Sequence, residues 1–405
     1  MANEASGTNR FGKKRDAILA AARDIMYRRG LTATTFAEVA AQVDLNPTSI
    51  AYYFKKKEDL AVACLLAGVE RLEAMLREAE QGKDEAGKLR RLFEAFFAHH
   101  RAVRFGEESP IPSFGEIRAL DEPHRGIVRD AFVGLSKRVR GLFDGPRFAH
   151  YDHKAKTALA HVLLEQIFWA IGWLHRYDVD DYPRVLDRVC DIYVGGLAAP
   201  GARWRGGVLE LPPPGGSDRS REDFLVAATR LINRVGYRSA SVERISAELN
   251  VTKGSFYHHN EAKEDFAEAC FRRSIDVERR AQQRALEAEG MHREKLELAV
   301  STLIDFQLSD SGPLAREGLL AALPQAMQAR LNERRERVVN RFASMTADGY
   351  ADGSMRAVDP LIAAQMLKVT INAAAEGPSW VRTLTRADAP ALYARPLLMG
   401  VFAAA

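Results

Sequence analysis

Residues 46–60 read NPTSIAYYFKKKEDL, and residues 252–266, which lie 206 positions further along the chain, read TKGSFYHHNEAKEDF. Both stretches begin with a residue type that caps helices, Asn46 or Thr252, and continue with small or polar side chains. Pro47 stands at the first helical position of the first stretch, where its missing N–H costs nothing. Each stretch therefore predicts a short helix with a small, polar leading end, and the shared KED opens another helix.

The similarity between the two stretches continues on the N-terminal side. Residues 15–60 align without a gap with residues 221–266, and eleven of the 46 positions are identical, where chance would supply about three. The identical positions, each with a partner 206 residues on, are Arg15, Leu19, Ala21, Ala22, Arg28, Gly30, Ala41, Ser49, Lys57, Glu58 and Asp59. Trp173 and Trp380 also match, at an offset of 207. One ancestral unit of about 200 residues therefore occurs twice.

Two more helices precede the quoted stretch in each copy. An amphipathic helix is expected over residues 14–29 and 220–235, ending at Gly30 and Gly236, which suit the left-handed conformation that terminates helices. A short helix follows over residues 35–43 and 241–249, and in the first copy it starts at a capping box. Its capping residues are Thr35 and Glu38. Two short helices joined by a tight turn predict a helix-turn-helix, whose second helix enters the DNA major groove.

Residues 21–60 resemble the DNA-binding domain of the TetR/AcrR family, and the second copy matches its recognition helix better. The family pattern V-S-K-G-T-L-Y-x-H-F-x-x-K-E-E-L compares with VTKGSFYHH and KEDF here. The resemblance covers about 50 residues of each half by motif. It implies an all-α fold of two TetR-like units, each with an N-terminal three-helix helix-turn-helix domain and a C-terminal helical effector and pairing bundle. The predicted domains are helix-turn-helix domains at 10–60 and 220–266, effector and pairing domains at 61–198 and 267–405, and a linker at 199–219.

The resemblance also implies DNA contacts, residue by residue. The first copy departs from the family pattern at Pro47 and Ala51, which replace a Lys and a phosphate-binding Tyr, and the second copy has Asn260 in place of a packing Phe. An arm containing Arg10, Lys13, Lys14 and Arg15 and the run 55–57 can compensate in the first copy. The predicted DNA-binding residues are Lys14, Thr34, Thr35, Pro47, Thr48, Ser49, Tyr52, Tyr53, Lys57, Ser241, Arg244, Thr252, Lys253, Gly254, Ser255, Tyr257, His258 and Lys263.

The charge distribution agrees with a DNA-binding function. The net charge is only +4, yet residues 10–57 carry ten Lys and Arg against four Asp and Glu, and residues 216–263 carry eight against six. Positive charge is therefore concentrated where a polyanion would bind.

Other sequence features exclude several classes. The N-terminus lacks the apolar core of a secretory signal, and the strongest apolar run, 167–174, is too short to span a bilayer, so we expect a cytoplasmic protein with no membrane partner. The three cysteines lie far apart and predict reduced thiols. His161 and Glu165 are four residues apart, but no third ligand stands at useful spacing, so no metal is expected. Catalytic motifs are missing, so we expect neither an enzyme nor a cofactor.

The C-terminal helices of each half are expected to pair. In TetR-like proteins the last two helices usually pair with those of a second subunit as a four-helix bundle. The candidates here are residues 155–176 and 183–198, then 359–382 and 388–403, with small residues for close approach at Gly195, Gly196 and Gly400 and a kink at Pro396. Both pairs belong to one chain, and the linker, anchored by Trp204, Val208 and Leu211, keeps them at high effective concentration. The sequence therefore predicts an intrachain pseudo-dimer that can remain a monomer in solution, while association of two chains stays an alternative.

These observations lead to one functional interpretation and one rival. The interpretation is a ligand-responsive transcriptional regulator, acting as a repressor on double-stranded operator DNA with two unlike half-sites. Its effector is expected to be a partly hydrophobic small molecule. The aromatic residues that can line its pocket, or instead form plain core, are Phe93, Phe97, Phe114, Trp169 and Trp173. The rival is a ligand- or protein-binding module whose DNA-binding domains are vestigial.

Overall fold

The computed structural model describes the backbone of residues 2–31, 33–211, 219–237, 240–248 and 263–403, with the side chains of these residues except 2–10, 119, 219–220, 263 and 321–322. Over this part of the chain the protein is helical, and its β structure is confined to an isolated antiparallel bridge between Ala198 and Met355. The predicted all-α fold is confirmed.

The chain divides into two compact units, Met1–Leu142 and Phe143–Ala405. A short 3-10 helix, Phe114–Ala119, lies between the last two helices of the first unit. The helices of the first unit are α1 (Ala2–Arg29), α2 (Phe36–Gln42), α3 (Pro47–Tyr53), α4 (Lys57–Glu80), α5 (Glu85–Arg104) and α6 (His124–Gly141). The first three pack around buried Ile18, Val39 and Ile50, while α4 packs against α5 and α6.

The second unit begins within the first repeat and continues through the whole of the second. It also contains 3-10 helices at Pro146–Phe148, Val179–Asp181 and Glu317–Ala322. Its helices are α7 (His153–Leu174), α8 (Tyr182–Gly195), α9 (Arg219–Val235), α10 (Val242–Glu248), α11 (Lys263–Glu287), α12 (His292–Gln307), α13 (Gln325–Ala351), α14 (Pro360–Ala374), α15 (Gly377–Trp380) and α16 (Ala389–Met399).

The boundary between the compact units falls after α6 and not at the linker predicted over 199–219. Helices α7 and α8 belong to the first repeat by sequence, yet each packs against α14 and α16 of the second. Much of α7 is buried from Ala158 onward, so it needs neighbours on more than one side. The domain boundaries derived from the repeat stay a prediction.

The linker is held by hydrogen bonds, and of its three predicted apolar anchors Trp204 and Leu211 are half-buried. Val208 is exposed, so it anchors nothing. Instead the backbone amides of Arg205 and Gly206 donate to Glu297 Oε1 at 2.8 and 2.6 Å, and the amide of Leu209 donates to Thr302 Oγ1 at 2.9 Å. The side chains of Glu297 and Thr302 are buried and need hydrogen-bond partners, which the linker backbone supplies.

Helix α7 is the one described helix that is long and apolar enough to resemble a membrane span. By length and composition it could cross a membrane, although no uninterrupted apolar run in it reaches that length. In the structure 67% of its most apolar window is buried inside the protein. An apolar helix enclosed by other helices has the same composition as a membrane span.

Candidate nucleic-acid interface

The first helix of each repeat ends as the sequence predicts. Gly30 has φ +77° and Gly236 has φ +80°, both in the left-handed region where a side chain is strained. The amide of Gly30 donates to Met26 O, and the amide of Gly236 donates to Ile232 O, both at 2.8 Å. The two copies therefore close their first helix with the same hydrogen bond.

Helix α2 begins at the predicted capping box. The amide of Glu38 donates to Thr35 Oγ1 at 3.2 Å, and the amide of Thr35 donates to the Glu38 carboxylate at 3.2 Å. Thr34, which was expected to contact DNA, is instead buried, and its hydroxyl donates to Gly30 O at 3.0 Å. Its side chain stabilises the turn and has no surface to offer a ligand.

Helix α3 has one buried face and one exposed face. Ile50 is completely buried, and Phe54 is buried just after the helix. On the other side, Pro47 and Thr48 are exposed, and Tyr52 is 75% exposed. The helix starts at Asn46 with Pro47 in its first turn, as predicted, but the Asn46 side chain makes no capping hydrogen bond. From the sequence we expected the Asn46 side chain to cap the helix. In the structure its side-chain amide takes no part in capping.

The basic arm is part of helix α1, which begins at Ala2 and not near residue 14 as expected. Phe11 stacks on Tyr53 with ring centroids 4.7 Å apart, and it meets Tyr52 edge-on at 6.0 Å. These contacts lay the arm along the C-terminal end of α3. Sequence reasoning missed Phe11, and the available signal was a lone aromatic residue among basic ones.

Exposed lysines flank the members of this aromatic cluster in the sequence. Lys13 and Lys14 on the arm and Lys55 and Lys56 after α3 are exposed, while Lys57 and Ser49 are half-buried. Such a group of exposed cations around a short helix is suited to phosphate contacts on either side of a groove.

The described part of the second helix-turn-helix repeats the interior of the first. Cys64 Sγ lies 4.0 Å from Leu19 O, and Cys270 Sγ lies 3.9 Å from Leu225 O, so residues that match by sequence make the same contact. Burial raises the pKa of the Cys64 thiol to about 12 and that of Cys270 to about 11. Neither thiol forms a disulfide, and nor does that of Cys190.

The surface of the second copy is described only in part. Ser241 Oγ accepts a hydrogen bond from the amide of Arg244 at 3.3 Å, and the Arg244 side chain is exposed. The predicted contacts Thr252, Lys253, Gly254, Ser255, Tyr257 and His258 lie outside the described residues, and Lys263 is described by its backbone alone, at the start of α11.

The aromatic residues predicted to line an effector pocket belong to both units. In the first unit, Phe93 and Phe97 are buried on α5, and Phe114 lies 4.8 Å from Phe132 between ring centroids. In the second unit, Trp169 Nε1 donates to Glu165 at 2.9 Å, and Trp173 is buried.

A buried ionic cluster lies in the centre of the second effector region. Lys368 on α14 is 3% exposed and contacts Glu278 and Glu317, the latter at 2.9 Å. Arg335 donates to Glu317 at 2.7 Å. Burial acts to raise the pKa of Glu317, but Lys368 and Arg335 outweigh it and lower the pKa to about 2. A cavity of about 20 Å³ beside the cluster has room for about one water.

Over the described residues no three His, Cys, Asp or Glu side chains converge in a way that could hold an ion. The Nδ1 of His161 lies 3.0 Å from the Tyr393 hydroxyl, and its ring stacks on Trp380. His161 is thus a packed interior residue.

The geometry defines a helix-turn-helix protein, and comparison with known proteins identifies its family. Residues 18–64 and 224–270 both match the family described as bacterial regulatory proteins, tetR family. Each repeat of the chain therefore carries a tetR-family domain, and the two stand in tandem.

Individual relatives are distant. An uncharacterized HTH-type transcriptional regulator in the lacX 3' region of Lactococcus lactis subsp. lactis is 22% identical over 128 residues, which is 31% of this chain. The match spans 65% of the length of that relative. Among solved structures, apo AibR is 20% identical with a TM-score of 0.37, covering 44% of this chain and 98% of its own. The regulator FadR from Bacillus subtilis, in complex with stearoyl-CoA, is 20% identical with a TM-score of 0.35 and the same coverage.

Proposed function

We propose that this protein is a ligand-responsive transcriptional repressor whose two unlike helix-turn-helix domains act as a pseudo-dimer within one chain. The observation that carries the proposal is the packing of α7 and α8, from the first repeat, against α14 and α16, from the second. These are the last helices of each repeat, the position where TetR-like subunits usually pair. One chain then supplies both halves of a pairing interface.

The centre of this interface is buried and specific. The His161 ring on α7 stacks on Trp380 with centroids 4.4 Å apart, and the ring of Tyr393 lies edge-on to it. One turn further along α7, Gln166 Nε2 donates to Met366 O at 2.9 Å and to Thr370 Oγ1 at 3.0 Å. A buried amide that reaches two acceptors on α14 ties the two repeats in one register.

Ion pairs join the repeats at the edge of the interface. Lys154 on α7 contacts Asp388, just before α16, and Arg188 on α8 contacts Asp359, the residue that caps α14. Arg356 Nη2 donates to Asp191 on α8 at 2.5 Å. Partly exposed pairs contribute little stability each, but they favour this partner over others.

Residues close to the ionic cluster connect the second effector region to its helix-turn-helix. The amide of Arg316 donates to Asn233 Oδ1 on α9 at 3.0 Å, and Asn233 Nδ2 donates to Leu314 O at 2.8 Å. The next residue, Glu317, belongs to the buried cluster with Lys368. An effector that disturbs this region would therefore act directly on the helix that supports DNA reading, and would favour a conformation with lower DNA affinity.

The experiment is selection of bound sequences from a random DNA library with the intact chain, near the physiological ionic strength. We expect an enriched site with two unlike half-sites about 10 base pairs apart, bound by one chain. Light scattering of the complex counts the chains. A perfect palindrome bound by two chains would contradict the pseudo-dimer, and absence of any enriched sequence would contradict DNA-binding regulation.

The rival function is a ligand- or protein-binding module with vestigial DNA-binding domains. One observation favours it, namely the exposed aromatic cluster of Phe11 and Tyr52, since apolar surface of this kind also binds proteins. Salt separates the two functions, because counterion release makes DNA affinity fall steeply with salt concentration. A flat salt dependence of nucleic-acid affinity would favour the rival.

A further inference from the structure

The exposed face of α3 has an unusual chemistry for a DNA-reading helix. The eight residues from Asn46 to Tyr53 include neither Lys nor Arg, and neither Asp nor Glu. Recognition of guanine in the major groove relies on the paired donors of Arg or on Lys, and recognition of cytosine relies on a carboxylate acceptor. The helix therefore carries no charged group that could read a G·C base pair.

The groups that α3 does present are uncharged, namely methyl and hydroxyl groups along one face and one amide at its start. Thr48, Ala51 and Tyr52 have the spacing of one helix face and are all exposed, and Pro47 is exposed beside them. The buried Ile50 holds the opposite face in the core, so this orientation of the helix is set by packing. Methyl groups on a groove-facing helix contact the 5-methyl group of thymine.

Asn46 adds a complementary group at the leading end of the helix. It is exposed, and it makes no capping hydrogen bond although it stands at the N-cap. Its side-chain N–H donor and carbonyl acceptor match N7 and the N6 amino group of adenine, which an asparagine contacts as a pair. Adenine and thymine are the two bases of one pair, so the amide and the methyl groups favour the same base pair.

We propose that the first helix-turn-helix reads A·T base pairs, with Asn46 on adenine and the methyl groups of Thr48 and Ala51 on thymine. The inference rests on the proposed function and adds the base composition of one half-site. The second copy has Lys253 at the position of Pro47. A lysine is suited to guanine, so the two half-sites should differ in composition and not only in sequence.

The first test removes single methyl groups from the DNA. Within the selected operator, the half-site whose base preference relaxes in the Lys253→Ala variant belongs to the second copy, and the other belongs to the first. Replacing thymine by deoxyuridine in the first half-site should weaken binding about fourfold for each contacted methyl group. The same replacement in the spacer between the half-sites is the control and should change affinity less than twofold.

The second test pairs a protein variant with a base analogue. Asn46→Ser keeps a residue that caps helices and removes the amide, and it should weaken binding about tenfold. Replacing adenine by 7-deazaadenine should weaken binding of the natural chain by a similar factor and leave the affinity of Asn46→Ser unchanged. A merely structural role of Asn46 would make the two losses multiply.

The outcomes separate this inference from the function on which it rests. A first half-site built on G·C base pairs, or deoxyuridine and 7-deazaadenine substitutions that leave affinity within twofold, would overturn the inference and leave the regulator intact. Failure of the chain to bind any DNA sequence would overturn the proposed function and this inference together.

Discussion

Gly196 follows α8 of the first repeat and lies against the backbone of the second, so its replacement by alanine tests the contact between the repeats. A β-carbon at this position would lie 2.5 Å from Met399 C and 2.8 Å from Leu398 O, and would also clash with the amide nitrogen of Gly400. All three neighbours are backbone atoms, which cannot rotate away. The two repeats must therefore separate locally if Gly196→Ala is to fold.

The size of the effect follows from the hydrogen bonds beside the glycine. The amides of Leu197 and Ala198 both donate to Leu398 O, at 2.8 and 2.9 Å. Separation of the backbones would lengthen both bonds, and each is worth about 1 kcal/mol. Gly196 also has φ +72° and ψ −172°, a conformation almost restricted to glycine, where a side chain costs about 1–3 kcal/mol whatever its surroundings.

A matched variant isolates the close approach from the backbone strain. Gly201 has φ +79°, and a β-carbon there would meet nothing within 4 Å. Gly201→Ala therefore places a side chain at positive φ without a clash, and Gly196→Ala should be less stable by at least about 2 kcal/mol. In a protein of this size that difference lowers the melting temperature by roughly 2–4 °C, which thermal unfolding followed by circular dichroism can resolve. Equal melting temperatures for the two variants would refute the reasoning.

Three further predictions concern the interface, the ionic cluster and the arm. Burial lowers the pKa of His161 to about 3, so the folded state keeps the ring neutral while the unfolded chain gains a proton below pH 6.5. The contribution of His161 to the free energy of unfolding is complete above pH 6.5 and falls by about 1.4 kcal/mol per pH unit below it. Urea unfolding should show that this slope is lost in His161→Gln. The control His153→Gln, at an exposed site on α7, should keep it. Lys368→Met leaves Glu278 and Glu317 buried without their shared cation, and should lower the free energy of unfolding in urea by about 3–5 kcal/mol. The control Arg337→Ala breaks an exposed pair with Glu333 and should lower it by less than about 0.5 kcal/mol. Replacing Lys13 and Lys14 together by alanine should lower the slope of log affinity against log salt by about 1–2 without changing base preference, and Lys137→Ala, an exposed lysine on α6, should not.

Each of these predictions has a result that contradicts it. An unchanged acid slope in His161→Gln would mean that His161 is protonated in the folded state. A loss below about 1 kcal/mol in Lys368→Met would mean that the cluster is hydrated or that Glu278 binds its proton. An unaltered salt slope after loss of both arm lysines would place the arm away from the phosphates.

Local interactions made much of the helix-turn-helix predictable from sequence. The capping box of Thr35 and Glu38, the helix ends at Gly30 and Gly236 and the start of α3 at Asn46 all depend on residues at most four positions apart. The repeat itself was visible because matching core positions, such as Cys64 and Cys270, must fill the same space. These features survive in any tertiary context.

The exposed surface of the first domain was harder to predict. Thr34 was expected at the DNA surface and is buried, because its hydroxyl satisfies the carbonyl left open at the end of α1. Phe11 was overlooked because its partner Tyr53 lies more than forty residues away, a contact that no local pattern encodes. The missing capping bond of Asn46 was not predictable either, since an asparagine that caps a helix and one that does not look the same in sequence.

The sequence by itself determined that the chain is all-α and carries two tetR-type DNA-binding domains. Helix periodicity and caps depend on residues that are close together along the chain, and the repeat aligns without a gap. Only the tertiary structure decided that α7 and α8 pack with the second repeat, that Glu297 holds the linker, and that Lys368, Glu278 and Glu317 share one buried site. Those partners are about 40 or more residues apart, or join the two repeats. Their choice depends on which apolar surfaces and buried charges can satisfy each other once the helices are packed.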